Sequence, residues 1–114
     1  MPLQFIKVYD FVKHGAEPQK LNSTRTIDIE GKRICMARTE TGYYAVNDKC
    51  PHAGARLGQG WCEDGKVVCP VHRYKYDLKT GRGLQGDYVE PYPVEVRKDG
   101  VYIGLETKRW WWPF

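Results

Sequence analysis

The sequence predicts an all-β fold built from short antiparallel strands. Apolar and β-branched residues occur in short alternating segments, and turn-forming residues separate those segments. No segment shows the 3.6-residue apolar period of an amphipathic helix, and internal repeats and low-complexity segments are absent. We therefore expect several antiparallel sheets connected by tight turns.

The predicted strands follow the chain as a series of hairpins. They are residues 7–9, 25–29, 33–37, 42–46, 66–68, 93–97 and 101–105. The turns between neighbouring strands contain Gly31, Gly65 and Gly100. Lys98-Asp99-Gly100 between two alternating segments is a strong hairpin pattern.

Two short loops between the predicted strands carry metal-ligating residues. The first is Cys50-Pro51-His52, and the second is Cys69-Pro70-Val71-His72. Each loop supplies one thiol and one imidazole, whereas zinc sites usually pair their cysteines in one Cys-x-x-Cys segment. The mixed pairing suits a two-iron cluster in which two cysteines bind one iron and two histidines bind the other.

Two other interpretations of these four residues are weighed against the cluster. They could bind zinc, or the cysteines could be buried apolar side chains and the histidines solvated surface residues. Both alternatives require a coincidence, because each loop also opens with Cys-Pro and is followed by turn-forming glycines. The pattern favours the iron–sulfur cluster.

With these residues in view, the chain resembles the Rieske-type [2Fe–2S] ferredoxin family, and also the small Rieske-like subunits of assimilatory nitrite reductases. The resemblance extends over about residues 3–105. It implies a Rieske-like antiparallel β-sandwich or barrel, with the cluster held in a small inserted subdomain at about residues 50–84. It also implies that Cys50, His52, Cys69 and His72 bind the cluster, and that the outer edges of the histidines lie near solvent.

The resemblance implies an electron carrier with no catalytic residues of its own. The expected function is transfer of single electrons from a reductase to a terminal oxygenase or other oxidoreductase. The alternative is a small electron-transfer subunit bound to the large subunit of a nitrite reductase that uses NAD(P)H. The chain contains no serine–histidine–acid set, no phosphate-binding glycine loop and no paired carboxylates near the two loops.

Composition agrees with one domain over residues 1–114. With 114 residues and 41% hydrophobic content, the chain is long enough for one core. Its N-terminus lacks a basic segment followed by a long apolar one, so a cytoplasmic protein without membrane attachment is expected. Cys35 and Cys62 are then expected to be reduced structural thiols.

The chain departs from its high-potential relatives near the two loops. Those relatives bridge the loops with two additional cysteines, and Ala55 and Val71 occupy these positions here. Tyr74 replaces a serine that donates to the cluster, although Tyr76 occupies the position of a second donor. We therefore expect a potential in the lower part of the Rieske range of roughly −150 to +300 mV.

Arg73 is a further departure, because the family usually has glycine directly after the second histidine. An arginine at this position is expected to need a compensating backbone geometry. Its positive charge would partly offset the lowering of the potential.

The charge of the chain is concentrated near the two loops. The formal net charge is +4, and the basic residues on or beside the loops are Lys49, Arg56, Arg73, Lys75, Lys79 and Arg82. Only Asp48 and Asp77 are acidic and equally close in the sequence. We expect a basic rim that docks on an acidic patch of a redox partner and does not bind nucleic acid.

The C-terminal residues 108–114 combine two basic residues with three tryptophans. Packing of this segment against the protein or a partner is favoured over a membrane anchor, because seven residues are few for a stable amphipathic anchor.

Overall fold

The structure is a computed structural model that describes residues 3–51, 54–83 and 86–106. These residues form two compact units. One comprises the described parts of Met1–Pro18 and Pro93–Phe114, and the other lies within Gln19–Tyr92. His52 and the tail at 108–114 lie outside the described residues.

The secondary structure is mostly β, which confirms the predicted fold class. The strands are β1 Leu3–Asp10, β2 Thr24–Ile29, β3 Lys32–Thr39, β4 Gly42–Asn47, β5 Trp61–Glu63, β6 Lys66–Val68, β7 Lys75–Asp77, β8 Pro91–Tyr92, β9 Val94–Arg97 and β10 Gly100–Glu106. The described residues also contain a short helix, α1 Phe11–His14, and a 3-10 turn at Leu57–Gln59. The strands of the described chain form three separate antiparallel sheets and no closed barrel.

The first unit contains a three-stranded sheet in the order β1-β10-β9. Arg97 pairs with Gly100, so Lys98 and Asp99 form the two-residue turn of the predicted hairpin. At Gly100 a Cβ atom would lie 2.0 Å from the Tyr9 carbonyl oxygen, which explains why glycine is needed where β10 meets β1. Helix α1 was not predicted, because four residues are too few to show a helical period.

The second unit contains a four-stranded sheet in the order β2-β3-β4-β8. The turn between β2 and β3 consists of Glu30 and Gly31, whose φ angles are 50° and 82°. Two successive positive φ values match the right-handed twist of a hairpin, so this turn sets the register in which Ile29 pairs with Lys32. The sheet confirms the strands predicted at residues 25–29, 33–37 and 42–46.

The second unit also contains a smaller sheet in the order β5-β6-β7. Strands β5 and β6 are joined by Asp64 and Gly65, with φ angles of 49° and 75°. Of these strands only β6 was predicted from the sequence. β5, β7 and β8 have two or three residues, too few to show alternation, and unlike β6 they contain no β-branched residue that would mark a strand. The bounds of the cluster-binding subdomain at about residues 50–84 remain a prediction.

One buried cluster of apolar side chains forms the core of the second unit. Its members are Cys35, Ala37, Val46, Cys50, Leu57, Cys62, Val67, Cys69, Tyr76, Leu78 and Val89. The cluster contains the cysteine of each predicted ligand loop, so both loops begin inside the core. Within the described residues, no helix is long and apolar enough to cross a membrane.

Candidate metal centre

Both predicted ligand loops are closed by the same backbone hydrogen bond. The amide of Cys50 donates to the carbonyl of Ala55 at 2.8 Å, and the amide of Cys69 donates to the carbonyl of Tyr74 at 2.8 Å. In each case the cysteine amide reaches five residues forward. This bond turns each six-residue segment back on itself and fixes the backbone that carries the cysteine.

A buried aspartate anchors the first loop. Asp48 is 2% exposed and accepts hydrogen bonds from the Thr26 hydroxyl at 2.8 Å and the Gly58 amide at 2.7 Å. Its backbone carbonyl also accepts from the amide of Leu57 at 3.1 Å. Asp48 thus ties the residue before the loop to β2 and to the 3-10 turn after the loop. The sequence indicated only that Asp48 is close to the loop, and its burial removes this negative charge from the exposed surface around the loop.

The second loop contains two successive residues in the left-handed region. The φ angle is 62° at His72 and 58° at Arg73. An L-residue in this region costs roughly 1–2 kcal/mol relative to its usual conformations, and glycine does not. The compensating geometry expected at Arg73 is therefore this left-handed backbone, which the loop imposes on an arginine.

The thiols of the two loops lie beside each other in the core. Cys50 and Cys69 form no disulfide among the described residues, and both are 0% exposed. The pKa of Cys69 is raised, first by burial and then by its interaction with the Cys50 side chain. Two adjacent buried thiols fit the thiolate half of a Rieske cluster, because they can bind one iron together away from water.

The histidine half is described only in part. His72 is exposed, and its ring centroid lies 6.1 Å from that of Tyr74. Among the residues that the structure describes, no three His, Cys, Asp or Glu side chains are grouped as ligands of a single metal ion.

Tyr76 lies where a donor to the cluster was expected. Its side chain is 0% exposed, and its hydroxyl oxygen lies 3.4 Å from Cys50 Sγ. The same hydroxyl donates to Asp87 Oδ2 at 2.8 Å. Burial, followed by the contacts with Cys50 and Asp87, raises the pKa of Tyr76 well above its usual range, so the hydroxyl keeps its proton. No sequence motif marks Asp87, and it was missed.

The positions that hold bridging cysteines in high-potential relatives are occupied by apolar side chains. Ala55 packs against the core cluster, and Val71 is 39% exposed. Cys35 and Cys62 are buried and free, as expected for structural thiols. Burial raises the pKa of Cys62 to about 11, and its thiol donates to the Ser23 carbonyl at 3.5 Å.

Most of the predicted basic rim is on the surface. The exposed members are Lys49, Arg56, Arg73, Lys79 and Arg82. Lys75 is half-buried and forms an ion pair with Glu63 at 3.1 Å, a partner that the sequence did not reveal.

A cavity of about 540 Å³ lies next to the first loop. Its lining includes four basic residues, Lys32, Arg33, Lys49 and Arg56, and two acidic ones, Asp48 and Glu90. Since Asp48 is bonded inside the protein, basic side chains dominate the surface of this cavity.

Comparison with known proteins places the chain in a family. The Rieske [2Fe-2S] domain family matches residues 11–98. The ferredoxin component of the naphthalene 1,2-dioxygenase system of Pseudomonas aeruginosa is 32% identical over 82 residues, which cover 69% of this chain and 79% of that protein.

Two solved structures show the same fold. The ferredoxin of carbazole 1,9a-dioxygenase from Nocardioides aromaticivorans superposes with a TM-score of 0.74 at 22% identity, covering 87% of this chain and 95% of that one. A chain described as the NADH-dependent nitrite reductase small subunit from Mycobacterium tuberculosis superposes with a TM-score of 0.81 at 16% identity, covering 95% of this chain and 100% of that one.

The family match covers most of the chain and agrees with the buried pair of thiols on two matching loops. Ferredoxin components of this kind carry electrons and do not catalyse reactions themselves. The chain therefore belongs to the Rieske [2Fe-2S] domain family, as an electron carrier whose cofactor is a [2Fe–2S] cluster.

Proposed function

We propose that this protein is a cytoplasmic ferredoxin that passes single electrons from a reductase to a terminal oxygenase. The observation that carries the proposal is the pair of matching loops, which bury Cys50 and Cys69 side by side in the core. The proposal is supported by the 32% identical relative, which is named as the ferredoxin component of a dioxygenase system.

We propose Cys50 and Cys69 as the ligands of one iron, and His52 and His72 as the ligands of the other. The burial of the thiols and the exposure of His72 support this division. The cluster supplies one-electron chemistry when bound. The core around the cysteines excludes water, and the exposed His72 provides a short route for an electron between the protein and a docked partner.

The ligand assignment is tested by substitution and metal analysis. Cys50→Ser and Cys69→Ser should each remove most of the two irons and two labile sulfides expected per chain. Cys35→Ala and Cys62→Ala are matched controls, because these cysteines are also buried but lie outside the two loops. Retention of a full cluster in Cys50→Ser, or one zinc per chain in a colourless protein, would contradict the assignment.

The histidines can be tested by EPR spectroscopy. The reduced protein should show the average g value of a histidine-ligated cluster. His52→Cys and His72→Cys should shift the spectrum toward that of an all-cysteine cluster and lower the potential, because thiolate adds negative charge. An unchanged spectrum in either variant would remove that histidine from the ligand set.

The small subunit of a nitrite reductase is the alternative function. Its support is the fold likeness to the Mycobacterium tuberculosis chain, whereas the ferredoxin assignment is also supported by sequence identity. We therefore favour the ferredoxin. Purification of the tagged protein from its source distinguishes the two functions.

A ferredoxin should be recovered without a stoichiometric partner. It should be reduced by NAD(P)H in the presence of a separate reductase, and reoxidised by a terminal oxygenase in stopped-flow experiments. A stable complex with a large flavin- or haem-containing chain would instead establish the subunit function.

A further inference from the structure

The Tyr76 hydroxyl lies between the Asp87 carboxylate and the Cys50 sulfur, and it can donate its single proton to only one of them at a time. Its oxygen is 2.8 Å from Asp87 Oδ2 and 3.4 Å from Cys50 Sγ. An iron-bound cysteine is a thiolate, which has no proton and can only accept. With Cys50 as a ligand, the sulfur and the carboxylate therefore compete for the same hydroxyl proton.

The carboxylate is the stronger competitor. A hydroxyl-to-carboxylate bond is charge-assisted, and 2.8 Å is a good length for it. Hydrogen bonds from the protein to cluster sulfurs stabilise the more negative reduced state and raise the potential. A hydroxyl that donates to Asp87 is withheld from the Cys50 sulfur and does not give this stabilisation.

We propose that Asp87 is a positioning residue that withholds the Tyr76 hydroxyl from the Cys50 sulfur and so keeps the reduction potential low. The proposal rests on the proposed ligand role of Cys50. This chain has the tyrosine of its high-potential relatives but lacks their two bridging cysteines and their serine donor. The proposal explains how a low potential is compatible with the presence of that tyrosine.

The backbone next to Asp87 leaves room for this arrangement. A Cβ atom at Gly83 would lie 2.3 Å from Asp87 Oδ1 and 2.8 Å from Cε1 of the Tyr76 ring. The Gly83 amide also donates to the Asp87 backbone carbonyl at 2.9 Å. Gly83 thus allows the carboxylate to lie directly against the tyrosine.

The negative charge of Asp87 also lowers the potential, independently of the hydroxyl. A double-mutant cycle separates the two contributions, because the charge acts whether or not the hydroxyl is present. The potential is measured by voltammetry on the wild-type protein, Asp87→Ala, Tyr76→Phe and the double variant, each with its full iron and sulfide content.

We expect Asp87→Ala to raise the potential clearly, and to raise it much less when Tyr76→Phe is present. Tyr76→Phe alone should leave the potential close to that of the wild type, because its hydroxyl is already engaged by Asp87. An equal rise in both backgrounds, or no rise in Asp87→Ala, would overturn the proposal. A large fall in Tyr76→Phe alone would also overturn it, since it would show that the hydroxyl already donates to the sulfur.

A further variant separates the hydrogen bond from the charge. Asp87→Asn removes the charge, as Asp87→Ala does, but keeps an acceptor oxygen for Tyr76. Its potential should therefore rise less than that of Asp87→Ala. A rise in Asp87→Asn equal to or greater than that in Asp87→Ala would contradict the proposal.

A spectroscopic readout reports the hydrogen bond to sulfur directly. The iron–cysteine stretching bands in the resonance Raman spectrum of Asp87→Ala should shift between H₂O and D₂O more than those of the double variant. Equal shifts would contradict the proposal. These measurements need no redox partner, so a wrong partner assignment leaves them unaffected, and a wrong ligand assignment appears separately as a retained cluster in Cys50→Ser.

Discussion

The carboxylate of Asp48 accepts a 2.7 Å hydrogen bond from the amide of Gly58, and this contact spans the first ligand loop. The same carboxylate accepts from the Thr26 hydroxyl at 2.8 Å. Gly58 has no room for a side chain, because a Cβ atom there would lie 2.6 Å from the Thr26 amide nitrogen. Asp48 precedes the loop that begins with Cys50, and Gly58 follows it. The hydrogen bond between these two residues therefore holds the two ends of the loop together.

Replacing Asp48 should destabilise the protein and reduce its cluster content. Asp48→Ala leaves the half-buried Gly58 amide and Thr26 hydroxyl without their acceptor, which should lower the free energy of unfolding by about 1–3 kcal/mol. Urea unfolding measures this loss. Iron analysis of the purified variant should show less iron per chain, because the loop that begins with Cys50 has lost its anchor.

Asp28→Ala is the matched control, because its side chain is 76% exposed and its ion pair with Arg33 is long at 4.0 Å. It should change the stability by less than about 0.5 kcal/mol. If Asp48→Ala lowered the free energy of unfolding no more than Asp28→Ala does, Asp48 would not be the anchor of the loop.

Substituting Arg73 should separate the effects of its backbone and its charge. Arg73→Gly and Arg73→Ala both remove the charge, but only glycine relieves the left-handed φ of 58°. The glycine variant should be more stable than the alanine variant by about 1 kcal/mol. Thermal unfolding of the two variants makes the comparison.

Arg73→Lys retains a positive charge and should keep a potential closer to that of the wild type than either neutral variant does. Greater stability of the alanine variant over the glycine variant would show that residue 73 is not left-handed in solution.

The hairpin turns and the positions of the two loops could be predicted because a few adjacent residues specify each of them. Asp64-Gly65 specifies a two-residue turn, and its φ angles of 49° and 75° show that turn. The Cys-x-His and Cys-x-x-His spacings likewise located the two loops, which the structure closes by matching backbone hydrogen bonds, while the ligand role of their residues stays a prediction. In these segments, a few adjacent residues determine the conformation or the chemistry.

The contacts that support the site could not be predicted, because they join residues distant in the sequence. Asp48 meets Thr26, and Tyr76 meets Asp87, only after the chain has folded. Single polar residues of this kind form no motif, so nothing in the sequence distinguishes a buried acceptor from a surface charge. The burial of Asp48 and the contact of Asp87 with Tyr76 were missed for that reason.

Cys62 should make the stability of the protein decrease at alkaline pH. Burial raises the pKa of its thiol from an ordinary 9.0 to about 11 in the folded state. Between these values the unfolded chain loses the proton and the folded chain retains it, so stability is fully present below about pH 9 and falls as the pH rises to about 11.

In Cys62→Ala, the alkaline decrease should be shallower by up to about 1.4 kcal/mol per pH unit, the contribution of one proton. Urea midpoints at about pH 8, 9, 10 and 11 measure the slope, and the value at the lowest pH corrects for the loss of packing. Some decrease should remain, because burial also raises the pKa of Cys35. An unchanged slope would show that Cys62 does not titrate in this range.

The basic surface beside the loops should control the rate of electron transfer to a partner. Arg56 and Lys79 are exposed, one after each loop, so Arg56→Glu and Lys79→Glu should each slow the oxidation of the reduced protein by a terminal oxygenase several-fold. Lys75 is less suitable for charge reversal, because it is paired with Glu63. Lys98→Glu, in the turn between β9 and β10, is the control with the same change in net charge.

Salt provides an independent test of the same docking. Raising the ionic strength above about 0.1 M, where the screening length is about 10 Å, should slow the wild-type reaction and reduce its difference from Arg56→Glu. The absorption and EPR spectra should stay the same throughout, which would show that docking has changed and the cluster has not. Rates that respond neither to salt nor to charge reversal would contradict electrostatic docking and would direct attention to apolar contacts, including those of the tryptophans at 110–112.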